Sequence, residues 1–167
     1  MLALNLYNFV GNNVLTTLGF LASGSYQTLV GQSVFHGVSQ PTVSRVVRQV
    51  VEAMNRPEVF KKFLFFPRTR EARDKIKQSY QELLGCIDGT HVALLKPKDN
   101  EERYINRKGY HSLNVMIICD NNLNILCVDP SNPGSTHDST VWNEHPLKNY
   151  IEQLYENGET VFFLGQS

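Results

Sequence analysis

The sequence is short of the features that mark several large classes of protein. Its three cysteines, Cys86, Cys119 and Cys127, lie in apolar runs without CxxC spacing, which argues against a zinc site or a disulfide framework. The apolar segment 14–22 is broken by polar residues, follows no Lys or Arg, and falls short of the roughly 20 residues that cross a bilayer. It therefore predicts an amphipathic helix rather than a signal peptide, and a membrane partner is not expected. No low-complexity tract occurs, so disordered and collagen-like classes are excluded.

Charge is balanced over the 167 residues but not along them. Residues 1–80 contain 10 basic and 4 acidic residues, whereas residues 81–167 contain 6 basic and 12 acidic residues. The net charges of the two segments are thus +6 and −6. A basic segment followed by an acidic one predicts phosphate binding by the first and cation binding by the second, the alternative being ordinary surface variation.

Residues 13–55 repeat apolar side chains at helical spacing. Breaks near Gly24 and Gly37 divide the segment into three predicted helices. The third begins with Ser39 as the N-cap and Pro41 in the first turn, both favourable at a helix start. Its predicted buried face consists of valines three and four residues apart, namely Val43, Val46, Val47, Val50 and Val51.

The segment GVSQPTVSRVV, residues 37–47, resembles the turn and recognition helix of a helix-turn-helix. The second helix of that motif enters the major groove of DNA by its N-terminal end. A plain helical hairpin with a serine cap explains the same pattern and stays open as the alternative. In the DNA-binding interpretation, the contacts come from Gln40, Thr42, Ser44, Arg45 and Arg48.

Residues 56–80 hold eight of the ten early basic residues, with phenylalanines between them. This composition predicts a connector that contacts phosphate directly, or a linker whose phenylalanines pack onto the next domain. The predicted organisation is a helical module at 1–55, a basic connector at 56–80 and a second domain at 81–167.

After residue 81 the periodicity changes to short β-prone runs separated by turn residues. A tight turn is predicted at Asp120–Asn122, and a helix at Ser139–Tyr155 that Pro146 would kink or divide. The predicted strands are Leu83–Ile87, His91–Leu95, Leu113–Cys119, Ile125–Asp129 and Thr160–Leu164. This order is the one expected of an α/β ribonuclease H-like nuclease core, present in part and preceded by the all-α module.

Two acids stand where such a core collects carboxylates around divalent cations. Asp88 closes the apolar run LLGCI and precedes Gly89, where the backbone can turn sharply. Asp138 follows the loop 130–137 and opens the predicted helix, where a carboxylate suits either a helix cap or a metal ligand. Phosphodiester hydrolysis by paired metals requires such carboxylates, and Mg²⁺ or Mn²⁺ prefers their oxygen atoms.

Several blocks together resemble the Harbinger transposase-derived nucleases of the DDE superfamily. The matching blocks are GCIDGTHVALLKP at 85–97, EERYINRKGYHSLNVMIICD at 101–120 and DPSNPGSTHDSTVW at 129–142, with the helical segment 18–47 upstream. The resemblance implies a nuclear, metal-dependent DNA nuclease. It matches Asp88 and Asp138 to two metal-binding, catalytic acids, with Mg²⁺ or Mn²⁺ as the cofactor. DNA is the implied substrate, and a protein with a DNA-binding domain is an implied partner.

The sequence departs from the family pattern in two places. The family's Gly-Asp-Ser run, whose Asp is a further metal ligand, corresponds here to Gly165, Gln166 and Ser167. The family's closing Glu is expected after the last residue of this sequence. A neutral amide is a weaker cation ligand than a carboxylate. These departures favour an alternative function, that of a catalytically inactive DNA-binding or adaptor protein.

Polar residues near the two acids have predicted supporting roles. His91 and His137 flank the acids and are expected to orient ligands or water rather than bind the metal. Asp120 and Asp129 are expected to be turn residues. Contact with the phosphate backbone, or simple solvation, is predicted for Tyr104, Asn106, Arg107, Lys108 and His111.

Overall fold

The computed structural model describes residues 2–24, 26–32, 37–78 and 82–165. The chain divides into two compact units, Met1–Lys62 and Phe63–Ser167. The boundary between them falls inside the segment 56–80 that the sequence predicts as a connector. Within the described residues, a helix able to cross a membrane is not found.

The first unit is helical. Its helices are α1 (Leu2–Ser23), α2 (Gln27–Gln32), α3 (Gln40–Met54) and α4 (Pro57–Phe63), the last of which ends at the unit boundary. Gly24 and Gly37 have φ values of +58° and +53°, the left-handed region that glycine enters without steric cost. The chain therefore turns where the sequence predicts breaks between helices.

Helix α3 buries one side against α1 and α2. Val43 is fully buried and Val46 is 5% exposed, whereas the other three valines of the predicted face are only half-buried. Ser39 occupies the N-cap position with extended backbone, as predicted, but its hydroxyl makes no capping bond. It lies instead 3.0 Å from the Thr42 hydroxyl.

The second unit is a four-stranded sheet with helices. After α5 (Arg70–Lys77) come β1 (Leu83–Ala93), a short 3-10 helix at Glu101–Tyr104, β2 (Ser112–Cys119) and β3 (Ile125–Pro133). Helices α6 (Asp138–Glu144) and α7 (Pro146–Glu156) then lead to β4 (Phe162–Gly165). The strand order is β3-β2-β1-β4, with β4 parallel to β1 and the other pairs antiparallel. This arrangement is compatible with a ribonuclease H-like core.

One strand prediction is wrong. The two predicted runs at Leu83–Ile87 and His91–Leu95 form a single strand, β1, and Gly89 lies inside it without a turn. Pairing with β2 continues without interruption from Cys86 to Ala93, so the backbone hydrogen bonds of the ladder keep the chain extended. Asp88 therefore lies within a strand rather than at the end of one.

The predicted helix at 139–155 is divided into two. Helix α6 ends at Glu144, and α7 begins at Pro146, which has no N–H to donate and is well suited to a first helical turn. His145 caps α7, since its Nδ1 accepts a hydrogen bond from the Leu147 amide at 3.2 Å. The division at Pro146 is one of the two predicted outcomes.

The core of the second unit lies between the sheet and its helices. Met116, Ile118, Leu126, Val141 and Leu147 are its buried centre. Phe66 of the predicted connector packs against this core, with its ring centroid 6.1 Å from that of Tyr150 and 6.4 Å from that of Phe163. The packing interpretation of the connector thus holds for Phe66, whereas Phe63 and Phe65 remain largely exposed.

A buried ionic cluster attaches α5 to the segment after α7. Arg73 donates to both carboxylate oxygens of Glu159, at 2.8 and 2.5 Å, and Lys77 Nζ donates to the same group at 2.9 Å. All three side chains are less than 10% exposed. The hydrogen bond from Arg73, supported by Lys77, lowers the pKa of Glu159 to about 2 against the opposing effect of burial.

Candidate functional site

A cavity of 310 Å³ in the second unit brings together the two acids singled out in the sequence. Asp88 and Gly89 of β1 line it, as do Asn114 of β2 and Asp138 of α6. Trp142 and Phe163 supply part of its apolar wall, with their rings 6.1 Å apart. Two acidic residues from separate elements therefore line one partly apolar cavity.

Asp88 is exposed and unpaired with any basic side chain in the described part of the chain. It pairs with Ile117 across the β1–β2 ladder, and its Oδ1 accepts a hydrogen bond from the neighbouring Gly89 amide at 2.9 Å. This bond uses one oxygen of the carboxylate. The remaining acceptor capacity is available to a bound cation.

Asp138 is the first residue of α6, but it is not the cap of that helix. The N-cap position belongs to His137, whose side chain makes no capping bond. The Asp138 carboxylate instead accepts a hydrogen bond at Oδ1 from Asn114 Nδ2 at 2.6 Å. The sequence left two roles open for Asp138, helix cap and metal ligand. In the structure the cap position belongs to His137 instead.

Gly89 leaves the space that Asp138 occupies. A Cβ added at Gly89 would lie 2.1 Å from Asp138 Oδ1 and 2.9 Å from Asn114 Oδ1. Real side-chain atoms do not approach so closely, so no larger residue fits here unless Asp138 moves. The dipeptide Asp88-Gly89 is therefore explained by the close approach of a carboxylate to the strand, not by a turn.

Asn114 is a site residue that the sequence prediction missed. It is 2% exposed, and its Nδ2 donates both to Asp138 Oδ1 and to the Thr136 carbonyl, the latter at 2.9 Å. Its own Oδ1 is buried without a hydrogen-bond partner in the described residues. Such a group costs roughly 1 to 3 kcal/mol. The available signal was an asparagine inside the apolar run Leu113–Cys119, since buried polar residues require partners.

Two predicted phosphate contacts are occupied by bonds within the protein. Asn106 is 3% exposed, and its Oδ1 accepts from the amide of Lys108 at 2.9 Å while its Nδ2 donates to Ser112 Oγ. His111 Nε2 lies 3.0 Å from Glu101 Oε1, and Lys96 Nζ forms a salt bridge with the other oxygen of the same carboxylate. Hydrogen bonds from Lys96 and His111 lower the pKa of Glu101. Asn106 and His111 therefore stabilise this loop.

Arg107 and Lys108 remain exposed at the tip of the same loop, which is closed by the bridge between Ile105 and His111. The segment before this loop contacts the segment before Asp138, because the Ser135 amide donates to the Arg103 carbonyl at 3.0 Å. Neither basic side chain forms an ion pair within the described ranges. They are free to attract an anionic ligand.

The other flanking residues have ordinary structural surroundings. His91 Nδ1 lies 3.0 Å from the buried Ser112 hydroxyl. Asp120 is a turn residue, as predicted, because its Oδ1 accepts from the amides of Asn122 and Asn124. Asp129 lies inside β3 rather than in a turn, and its carboxylate accepts from the amide and hydroxyl of Ser131. The carboxylates of Asp120 and Asp129 are therefore hydrogen-bonded to neighbouring residues, and neither residue lines the cavity.

The oxygen atoms at the cavity fit a hard divalent cation. Mg²⁺ typically binds one or two protein carboxylates and keeps several waters, and Asp88 and Asp138 supply two. Across residues 2–24, 26–32, 37–78 and 82–165, no group of three or more His, Cys, Asp or Glu side chains is arranged to hold a metal. Gln166 and Ser167 lie outside the described residues. The described acidic donors at the cavity are thus two, Asp88 and Asp138.

The predicted DNA-contacting residues of the first unit lie on α3. Arg45 and Arg48 are exposed and, among the described residues, form no ion pair. Gln40 Nε2 donates to Gln27 Oε1 at 2.7 Å, and the half-buried Thr42 contacts Ser39. A shallow surface is lined by Gln40, Ser44, Arg45 and Arg48. Four of the five predicted residues therefore share one surface, and DNA binding there stays a prediction.

Comparison with known proteins gives a family match and several relatives. Residues 87–163 match the DDE superfamily endonuclease model. The protein "Putative nuclease HARBI1" of Rattus norvegicus is 35% identical over 162 residues, covering 90% of this chain and 45% of that protein. Its counterpart in Homo sapiens is 34% identical with the same coverage, and that of Xenopus laevis is 33% identical over 87% of this chain and 43% of its own length.

The chain spans less than half the length of these curated relatives. No solved structure matches it. Asp88 and Asp138 both lie inside the matched segment 87–163.

Proposed function

The chain is related to the Harbinger transposase-derived nucleases, and from this premise we propose that its second unit is a metal-dependent DNA nuclease domain. Asp88 and Asp138 hold a divalent cation, Mg²⁺ or Mn²⁺, and are the catalytic acids. The observation that supports this proposal most is that two acidic residues, 50 residues apart in sequence, line the same cavity.

The chemistry required is hydrolysis of a phosphodiester bond. A bound divalent cation neutralises charge on the phosphate and lowers the pKa of a coordinated water. The protein's own residues bind and orient: Asp88 and Asp138 bind the cation, and the exposed Arg107 and Lys108 attract the phosphate backbone. Both Asp88 and Asp138 are exposed, so a cation can reach them from solvent.

The first unit is proposed to bind DNA through the exposed surface of α3. Arg45 and Arg48 supply charge for phosphate contacts, while Gln40 and Ser44 present hydrogen-bonding groups near the N-terminus of the helix. Thr42, half-buried, is proposed to support this surface through its contact with Ser39. With DNA as the proposed substrate, the nucleus is the proposed site of action, with the cytoplasm as the alternative.

A second candidate function is that of a catalytically inactive DNA-binding or adaptor protein, working with a partner that carries its own DNA-binding domain. It is favoured by the presence of only two cavity acids among the described residues and by an amide, Gln166, where the family has a further acid. In this case the second unit serves as a scaffold.

Cleavage of supercoiled plasmid separates the two functions. The nuclease proposal predicts nicking in Mg²⁺ or Mn²⁺ that is abolished by chelation and by the double variant Asp88→Asn, Asp138→Asn. Asp129→Asn is a matched control, because the Asp129 carboxylate is bonded to Ser131 and does not line the cavity. Plasmid that stays intact with every metal while still binding the protein would support the adaptor function instead.

A further inference from the structure

Asn114 has three features that its place in the sheet does not require. It is almost fully buried, it bonds a proposed cation ligand directly, and it retains an unpaired oxygen. Its ladder partners, His91 on β1 and Asn132 on β3, have no bond to Asp138 among the described contacts. Asn114 is therefore the strand residue that connects the sheet to the second acid.

The orientation of the Asn114 amide follows from its neighbours. The Thr136 carbonyl and Asp138 Oδ1 are both acceptors, at 2.9 and 2.6 Å from the same amide nitrogen. Rotating the amide by 180° would place its oxygen against two acceptors, with no donor to replace the lost bonds. Nδ2 therefore faces Asp138, and Oδ1 faces Gly89 on the cavity wall.

The unpaired Oδ1 lies close to the oxygen donors of the site. The position that a Cβ would take at Gly89 is 2.9 Å from Asn114 Oδ1 and 2.1 Å from Asp138 Oδ1, so both oxygens converge on one point above the strand. A buried amide oxygen without a donor is a poor arrangement for packing alone. It is a suitable one for receiving a cation or a water bound to that cation.

We propose that Asn114 is a positioning residue of the cation site, which fixes the Asp138 carboxylate through Nδ2 and presents Oδ1 to the cation or to its bound water. The inference rests on the proposed function, because it assumes that Asp88 and Asp138 hold a divalent cation. It adds a neutral amide oxygen to a site in which the described residues supply two carboxylates.

Mn²⁺ binding to the full chain, measured by titration calorimetry and by electron paramagnetic resonance of free Mn²⁺, tests the inference without any cleavage assay. Asn114→Ala is expected to weaken Mn²⁺ binding about 10- to 100-fold, as loss of a group that orients a ligand typically does. Asn132→Ala is the matched control, since Asn132 pairs with Asn114 across β2–β3 but contacts Asp129 and does not line the cavity. It should bind Mn²⁺ within about twofold of the unmodified chain.

Asn114→Leu separates a site role from a merely structural one. Leucine fills a similar space in the strand but offers neither a donor to Thr136 and Asp138 nor an oxygen to the cavity. If Asn114 only filled its place in the sheet, this variant would bind Mn²⁺ like the unmodified chain. We expect instead a loss of Mn²⁺ affinity as large as that of Asn114→Ala, and the leucine variant carries the test if the alanine variant does not fold.

The outcomes distinguish this inference from the proposed function. An unmodified chain that binds no Mn²⁺ contradicts the proposed function itself. An unmodified chain that binds Mn²⁺, together with an alanine or a leucine variant of equal affinity, contradicts the role of Asn114 and leaves the two acids in place.

Discussion

Replacing Gly89 by alanine changes one methyl group at the centre of the candidate site. The new Cβ would meet Asp138 Oδ1 at 2.1 Å and Asp138 Cγ at 2.6 Å, whereas ordinary contact begins at 3.4 Å. To restore that contact, the carboxylate oxygen has to retreat by roughly 1.3 Å, the difference between the two distances. The retreat also breaks the 2.6 Å hydrogen bond from Asn114.

Two effects of Gly89→Ala follow from this displacement. Overpacking should lower the free energy of unfolding by about 1 to 3 kcal/mol. Displacement of a carboxylate by about 1 Å should weaken Mn²⁺ binding by about 10- to 100-fold, comparable to losing a group that orients a ligand. Gly165→Ala is the matched control, because it adds a methyl group to the same cavity against Ile87 Cγ2, at 2.8 Å, instead of against an acid.

A double-mutant cycle tests the contact itself. In an Asp138→Ala background the clashing atoms are gone, so Gly89→Ala should cost about 1 kcal/mol less than it does alone in urea unfolding. If the unfolding costs of Gly89→Ala and Asp138→Ala add within about 0.5 kcal/mol in the double variant, the close approach of Asp138 to Gly89 is refuted. Equal Mn²⁺ affinity of Gly89→Ala and the unmodified chain would refute its relevance to the cation site.

Three further predictions concern the ionic cluster and the first unit. Glu159→Gln leaves the buried Arg73 without its bidentate partner and Lys77 with only Asp74 at 4.0 Å, and it should lower the free energy of unfolding by roughly 3 to 5 kcal/mol. Glu152→Gln, at an exposed pair with Lys148, should cost under about 1 kcal/mol in the same urea titration. The pKa of Glu159 is lowered from 4.5 to about 2, so its contribution to stability is present above pH 4.5 and lost as the pH falls through 2. The difference in unfolding free energy between the unmodified chain and Glu159→Gln should therefore shrink over that pH range. A constant difference would contradict the ionic pairing of Glu159 with Arg73 and Lys77. Arg45→Ala with Arg48→Ala should reduce the slope of log affinity for DNA against log salt by about 2. Lys148→Ala is a control on the other unit, because Lys148 pairs with Glu152 and lies outside the basic segment 56–80. An unchanged slope in the double variant would remove α3 from the DNA surface.

The sequence was informative where structure is determined locally. Gly24 and Gly37 mark the breaks between the helices, and Pro146 divides α6 from α7, because each acts through its own backbone geometry. The order of β2, β3, the helices and β4 along the chain was also predictable, because short β-prone runs and a helical pattern mark these elements locally. Asp88 and Asp138 were predicted as metal ligands from an expected strand end, an expected helix start and the family resemblance, although Asp88 lies inside β1.

Features that depend on distant residues were missed or misassigned. Gly89 suggested a turn, but pairing with β2 keeps it in a strand, where Asp138, 49 residues later, lies against it. Asn106 looked like a surface residue, yet its side chain holds its own loop together. The pairing of Arg73 with Glu159, 86 residues apart, leaves no local pattern in the sequence.

The most direct test of the central claim is Mn²⁺ binding by the unmodified chain and by Asp88→Asn and Asp138→Asn as single variants, with Asp129→Asn as the control. The account predicts binding by the unmodified chain and the control, and a loss of at least about tenfold for each of the two cavity variants. Equal binding by all four proteins, or none by the unmodified chain, would contradict the claim that Asp88 and Asp138 form a cation site.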